Sequence, residues 1–357
     1  MAIVIPVLIV LEIIVYIVLA QLHAPAPAPS DDFLLDEQGN AIVVNDADRK
    51  KDFFTLLIVG KDAVAMNTDT IMVASVDVAN KTYNVLSIPR DTMSNTSRAV
   101  KKINAAYGYG GVDTLKREVS DLVGFKLDKY VIIKLEGFEK VIDTIGGVEV
   151  DVPQKMDYDD PEQNLHIHLK PGPQTLMGKD AVGFVRFRSG YPDADLGRIR
   201  AQQMFVSSVI AKLTAPSSFF KVVPIAKAVF ENIQTDLTSG EIIWAATNMR
   251  DIGSEQVTMA TIPGRAAPYG GLSYYFVNQK ETLELVNAKF NPYTRQIYSL
   301  NLGGIKAGDQ PPVKATPTPV PETTPVATSE PEASSTPTPT VTITPTATPT
   351  ITSTPDE

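Results

Sequence analysis

Residues 51 to about 300 predict an α/β domain: a mixed central β-sheet sandwiched by helices, an αβα arrangement. Three observations carry this. Short runs rich in β-branched and aromatic residues lie at 53–59, 70–78, 82–88 and 129–135, and such runs favour strands. Other segments space their apolar residues at helical intervals. The two kinds of segment alternate along the chain, which puts helices over both faces of a sheet.

The elements follow in order. Only Ala79-Asn80-Lys81 separates the second strand from the third, so these two pair as a hairpin. Val112, Leu115, Val119 and Leu122 mark one face of a helix. Phe138, Val141, Ile142 and Ile145 mark another, and Gly146-Gly147 ends it. Leu165, Ile167 and Leu169 alternate with His166 and His168, the pattern of a half-buried strand. Residues 198–213 read as a helix starting just after Gly197. Two more helical stretches lie near 217–231 and 239–250, and a strand near 256–262 completes the same domain.

Composition narrows the function. The chain has 357 residues, a formal net charge of −9 and no cysteine. No basic block appears, which argues against a nucleic-acid partner. Disulfides and thiolate chemistry are excluded. Residues 1–20 are apolar apart from Glu12. They would reach about 30 Å as a helix, enough to span a bilayer. No Lys or Arg precedes this stretch, so it reads as a transmembrane anchor rather than a cleaved signal peptide. Residues 21–50, Pro/Ala-rich and then acidic, read as a stalk, and residues 51–308 as the globular domain. Residues 309–357 are Thr/Pro-rich and read as a disordered tail, either an O-glycosylated wall-spanning segment or an unmodified linker.

Arginines stand at or just past the ends of apolar runs in Leu86-Ser87-Ile88-Pro89-Arg90-Asp91 and in Val185-Arg186-Phe187-Arg188. Asp195-Leu196-Gly197-Arg198 follows. Guanidinium groups bind phosphate bidentately. Arg186 and Arg188 would share one side of an extended segment, as in a clamp for pyrophosphate; surface ion pairing is the alternative. His166 and His168 share one strand face, as metal ligands can, but no third ligand is evident and a solvated face is expected. Asp157, Asp159, Asp160 and Glu162 read as an acidic loop without the spacing of an EF-hand.

These arginine motifs belong to a longer ordered series. Asp62 follows Leu56-Leu57-Ile58-Val59-Gly60, and Thr68-Asp69-Thr70 opens the next run. Lys102-Ile103-Asn104-Ala105-Ala106-Tyr107, Gly110-Gly111 and Glu136-Gly137-Phe138 come later. Ile145-Gly146-Gly147-Val148 and Leu169-Lys170-Pro171-Gly172 come after those. Over about residues 53–213 the series resembles the LytR–CpsA–Psr family. Its members are membrane-anchored bacterial enzymes that move glycopolymers from a polyprenyl-pyrophosphate carrier onto the cell wall.

The resemblance implies a phosphotransferase with an extracytoplasmic domain on a single-pass anchor. Its partners would be a polyprenyl-pyrophosphate-linked glycan, such as a teichoic-acid-like or capsular polymer, and peptidoglycan. Arg90, Arg186, Arg188 and Arg198 match the arginines at the pyrophosphate, and Gln202 a glutamine near the phosphates. Asp62 and Asp69 would hold Mg²⁺ or Mn²⁺. Asp91 is either a structural partner for a cation or a base for the incoming hydroxyl. Lys102 and Asn104 line the acceptor side or form a capping turn. The apolar helices after residue 111 form the wall of a lipid tunnel or a packed core. Two positions depart from the family pattern, where arginine is usual: Asn67 before Thr68-Asp69-Thr70, and Ala201 before Gln202. Lys61 and Arg200 are the cations nearest in sequence that would compensate. A pyrophosphate-lipid hydrolase and a non-catalytic lipid-binding protein are the competing readings.

Overall fold

The computed structural model describes residues 32–35, 41–44, 48–61, 67–163, 165–192, 195–215, 222–242, 244 and 256–303. A hairpin of β1 (Asp32–Leu35) and β2 (Ala41–Val44) comes first, then β3 (Phe53–Lys61), β4 (Thr68–Asp77) and β5 (Thr82–Ser87). Helix α1 (Ala106–Val123) leads to β6 (Lys129–Lys134) and α2 (Leu135–Thr144). Four short strands follow: β7 (Val148–Val152), β8 (Met156–Asp160), β9 (Leu165–Leu169) and β10 (Gly172–Leu176). Then come α3 (Gly178–Arg186), α4 (Asp195–Thr214), α5 (Val222–Asn232), β11 (Ile233–Thr235) and β12 (Val257–Thr261). The hairpin β13 (Gly264–Tyr269) and β14 (Leu272–Val277) precedes α6 (Gln279–Lys289).

The central sheet has six strands in the order β11-β6-β3-β4-β5-β12. It is mixed: β6 runs parallel to β3 and β12 parallel to β5, while the other neighbours are antiparallel. The carboxyl ends of β3, β5, β6 and β12 therefore meet at one end of the sheet, beside the amino end of β4. Strand alternation divides the side chains between two faces. Leu57, Val59, Ile71, Val73 and Ile132 join Leu115, Val119 and Leu122 of α1 and Val286 of α6 in the main core. Met72, Ala74 and Val85 on the other face pack with Ile58 and with Val206 of α4. A second core lies under α2, α3 and α4, where Ile142, Phe184 and Phe205 meet the inward residues of β7 and β9.

Local chemistry explains the turns. Asp77 accepts hydrogen bonds from the Asn80 backbone N–H (2.9 Å) and side-chain amide (2.8 Å), which closes the β4–β5 hairpin. Helix α2 ends where Gly146 and Gly147 both take left-handed φ angles, +81° and +76°. Their N–H groups cap the Asp143 and Ile142 carbonyls.

Four sequence expectations change. Helix α4 starts at Asp195, two residues before Gly197. Val185–Arg188 is not a strand: α3 runs to Arg186, and only Phe187 beyond it is extended. Asp157, Asp159 and Asp160 lie in strand β8, not in a loop. Within the stretch read as a stalk, β1 and β2 pair, and Leu34 is buried in the main core. The apolar stretch 1–20, the Pro/Ala-rich residues after it and the tail 309–357 lie outside the described residues. No helix among the described residues is long and apolar enough to cross a membrane.

Candidate active site

The carboxyl end of the sheet carries the arginines. Arg90 lies three residues past β5, and its Nη1 donates to Asp69 Oδ1 at the start of β4 (3.0 Å). Helix α4 delivers Asp195 and Arg198 on the same face, three residues apart, joined at 2.6 Å. Arg90 Nε is 3.7 Å from Asp195 Oδ1, and Arg198 Nη2 reaches the Asp69 carbonyl at 3.5 Å. Two cations and two carboxylates thus interlock. The α3 end adds Arg186, whose Nη2 donates to Gln163 Oε1 (2.6 Å). Arg188 follows the buried Phe187, and both Arg186 and Arg188 line the cavity below. Arg186 and Arg188 thus reach one cavity, but the end of α3 and the extended Phe187 place them there rather than strand alternation.

The arginines differ electrostatically. Burial works against the Arg90 charge, but Asp195, Asp69 and Asp91 outweigh it and hold the guanidinium more firmly protonated than usual. Burial pushes Arg198 the other way; repulsion from Arg90 and Arg188 adds to it, and Asp195 and Asp69 only partly offset it. Arg198 is 5% exposed. The Nε atoms of Arg90 and Arg198 are both buried, with no hydrogen-bond partner among the described residues. Buried donors of this kind are costly to leave unmade. A negative charge close to Arg198 would offset the burial and the repulsion that act against its charge.

Beneath the arginines lies a cavity of about 350 Å³. Lys61, Asp69, Arg90, Arg186, Arg188 and Arg198 form its polar end; Ile58, Met72, Phe138, Leu165 and Phe205 are among its apolar walls. A second, almost wholly apolar cavity of about 170 Å³ shares Ile133 and Phe138 with it and runs between α2 and α5. The helix of residues 112–122 is no tunnel wall: its Leu115, Val119 and Leu122 are fully buried in the core on the opposite sheet face. Of the apolar helices after residue 111, α2 lines the cavity, together with α4.

The remaining expected residues are accounted for in turn. Gln202 is buried at the cavity and donates to the Val185 carbonyl (3.0 Å), tying α4 to the arginine-bearing end of α3. Asp91 pairs with Lys102 at 2.9 Å. The Asn104 N–H donates to the Arg90 carbonyl (3.1 Å). These three sit on the outer flank of Arg90, and the described lining of the cavity does not include them. Lys61 does line it, its ammonium 4.7 Å from the Tyr107 ring, so a cation is present although residue 67 is asparagine. Ala201 is 2% exposed within the second core, and Arg200 is exposed and absent from the described lining. Arg200 therefore does not stand in at the cavity. Asp62 lies outside the described residues.

Asp195, Gln163 and Gln203 carry parts that sequence reasoning did not assign. Asp195 was legible as an (i, i+3) partner of Arg198 on one helix. Gln203 Nε2 bonds Ser87 Oγ, the Ala260 carbonyl and Thr261 Oγ1, which fastens α4 across the ends of β5 and β12. Nothing in the sequence distinguishes that role.

Fold and site together define a class: an α/β domain with arginines gathered at the carboxyl ends of its parallel strands, above an apolar cavity. The chain belongs to the LytR_cpsA_psr family, whose profile matches residues 29–291. It is similar to the polyisoprenyl-teichoic acid–peptidoglycan teichoic acid transferase TagV of Bacillus subtilis, 31% identical over 252 residues. That match covers 67% of this chain and 64% of TagV, just under two thirds of the relative's length. A TagU transferase of Oceanobacillus iheyensis is 28% identical over 285 residues, 77% of this chain and 85% of that one. Among solved structures, B. subtilis TagV aligns with a TM-score of 0.60 at 30% identity, covering 66% of this chain and 95% of that one. A structure of TagT bound to LIIa-WTA aligns at 0.55 and 26% identity, covering 66% and 88%.

Proposed function

We propose that this protein is a phosphotransferase that moves a teichoic-acid-like or related glycopolymer from a polyprenyl-pyrophosphate carrier to a peptidoglycan hydroxyl. The observation that carries this reading is the convergence of Arg90, Arg186, Arg188 and Arg198 on a cavity whose remaining walls are largely apolar. One ligand with a pyrophosphate head and a hydrocarbon chain satisfies both halves. The names of the relatives support the same reading. The anchor at residues 1–20 would hold the domain at the outer face of the membrane, where such a lipid lies.

In this reading a sugar hydroxyl attacks the glycan-side phosphorus. A new P–O bond forms, the bond to the bridging oxygen breaks, and polyprenyl phosphate leaves. Such transfer rests on positioning and on stabilising charge at the transferring group. Arg90 and Arg198 hold the phosphoryl oxygens, Arg186 and Arg188 close the clamp, and Gln202 keeps the end of α3 in place. Asp91 faces Lys102, which favours its structural role; it would take the hydroxyl proton only if the acceptor displaced that lysine. Asp69 suits a divalent cation: its carboxylate is 45% exposed at the cavity, with one oxygen on Arg90. Mg²⁺ or Mn²⁺ there would neutralise phosphate charge, with Asp62 as the expected second carboxylate.

The test is to incubate the purified chain with a polyprenyl-pyrophosphate oligosaccharide, Mg²⁺ and peptidoglycan fragments, and to follow products by mass spectrometry. A phosphodiester-linked adduct is expected. Free glycan phosphate without adduct would make the protein a hydrolase, and bound but unreacted lipid would make it a binding protein.

A further inference from the structure

The outer face of the β8–β9 hairpin carries a second cluster of chemistry-bearing residues, away from the arginines. Asp157 pairs across the hairpin with His168, and Asp159 with His166. Alternation puts all four on one face, and all four are exposed. Directly opposed residues bring their Cβ atoms to about 4.5–5.5 Å, so the side chains converge. His166 Nδ1 lies 2.5 Å from Asp159 Oδ1, and His168 Nε2 lies 3.4 Å from the same oxygen. The donor atoms of Asp159, His166 and His168 all fall within 4.8 Å of one another.

We propose that Asp159, His166 and His168 form a binding site for a divalent transition-metal ion of the zinc type, which clips the two strands together. Zinc bonds of about 2.0–2.1 Å to nitrogen and oxygen place tetrahedral donors about 3.3 Å apart. The two measured separations bracket that value, so small side-chain rotations suffice. Two imidazoles and one carboxylate suit a borderline ion better than Mg²⁺ or Ca²⁺, which prefer oxygen. His168 is already oriented to ligate an ion, because its Nδ1 is held by Asp157 Oδ1 at 2.8 Å and its Nε2 is left to face the site. A carboxylate behind a ligating histidine is the usual supporting arrangement. Lys155 in turn holds Asp157 at 2.6 Å. The ion would take the place of the direct His166–Asp159 contact, and water would complete its coordination.

The opposite face of this hairpin explains why a clip there matters. Tyr158 and Leu165 line the cavity, and Gln163 in the connecting turn meets Arg186. An ion on the outer face would stiffen a wall of the cavity without touching its contents.

The experiment titrates Zn²⁺ into the metal-stripped full-length protein by calorimetry and follows amide hydrogen exchange in β8 and β9. A saturable site that persists in D69N is expected, with slower exchange in both strands when Zn²⁺ is present. The H166A/H168A double variant and D159N should each weaken Zn²⁺ binding more than tenfold and remove the added protection. D69N, at the arginine cluster, should leave the affinity of the hairpin site and the added protection of β8 and β9 unchanged. No saturable binding, or equal affinity in the double variant, would overturn the proposal whatever the transfer assay shows.

Discussion

At Arg198 burial strips water from a cation, Arg90 and Arg188 repel it, and Asp195 and Asp69 pull it back. A guanidinium remains charged under these conditions because its intrinsic pKa is so high. The strain is useful if it is relieved only when phosphate arrives. A lysine at this position would keep a charge but lose the planar fork and the Nε donor. Arg198→Lys is therefore expected to lower turnover on the order of 10²-fold, with the thermal unfolding midpoint nearly unchanged; transfer kinetics and calorimetry together check this. That Arg90, Arg186, Arg188 and Arg198 gather at one cavity was expected from charges standing just past apolar runs, with surface ion pairing as the alternative. The pairing of Arg90 with Asp69 was not legible. It depends on the antiparallel register of β4 and β5, which brings Ser87 beside Met72 and so Arg90 back to the start of β4.

Helix α4 shows how an element sets the site. It carries Asp195, Arg198, Gln202 and Gln203, so any tilt moves both the cavity arginine and the staple to β5 and β12. Its seat depends on Gly197: a Cβ there would lie 2.4 Å from Tyr191 Cβ and 2.5 Å from Cγ. The ring of Tyr191 also packs edge-on against Phe187, 5.7 Å between centroids, next to Arg186 and Arg188. Gly197→Ala should thus cost about 1–3 kcal/mol through overpacking. It should also disturb the arginines, read as a lower melting temperature together with weaker lipid binding. Two element-level readings failed for identifiable reasons. Alternation around Phe187 looks the same whether a strand or a helix end precedes it; the helical spacing of Ala181, Phe184 and Val185 is the signal that decides for a helix. The run of aspartates at 157–160 suggests a turn by composition, yet Met156 buries itself and Tyr158 packs beside the second core. Packing on that inner face outweighs the poor strand propensity of aspartate.

At the scale of the molecule, the domain closes on itself through an ion pair far from the site. Arg49, just before β3, donates to Asp128 at 2.7 and 2.8 Å, and that carboxylate also accepts from the Thr55 N–H and hydroxyl. The Asp128 side chain is fully buried. Removing Arg49 leaves a buried carboxylate short of its cation, which costs about 3 kcal/mol or more. Arg49→Ala is expected to lower the urea midpoint strongly while leaving the cavity arginines in place. The alternation of strands and helices was readable because both sheet faces are covered and every element needs an apolar side. Which helix covers the cavity was not, since α1 and α2 have similar apolar periodicity and only topology sends α1 to the closed core.

The central claim is that one cavity binds a pyrophosphate lipid and that its arginines carry the transfer. The most direct measurement compares the rate of glycopolymer transfer to peptidoglycan fragments by the native chain and by Arg90→Ala, each confirmed folded by circular dichroism. An adduct is expected from the native chain, with a loss of about 10²–10³-fold in the variant. Transfer by Arg90→Ala within a few-fold of the native rate would contradict the claim.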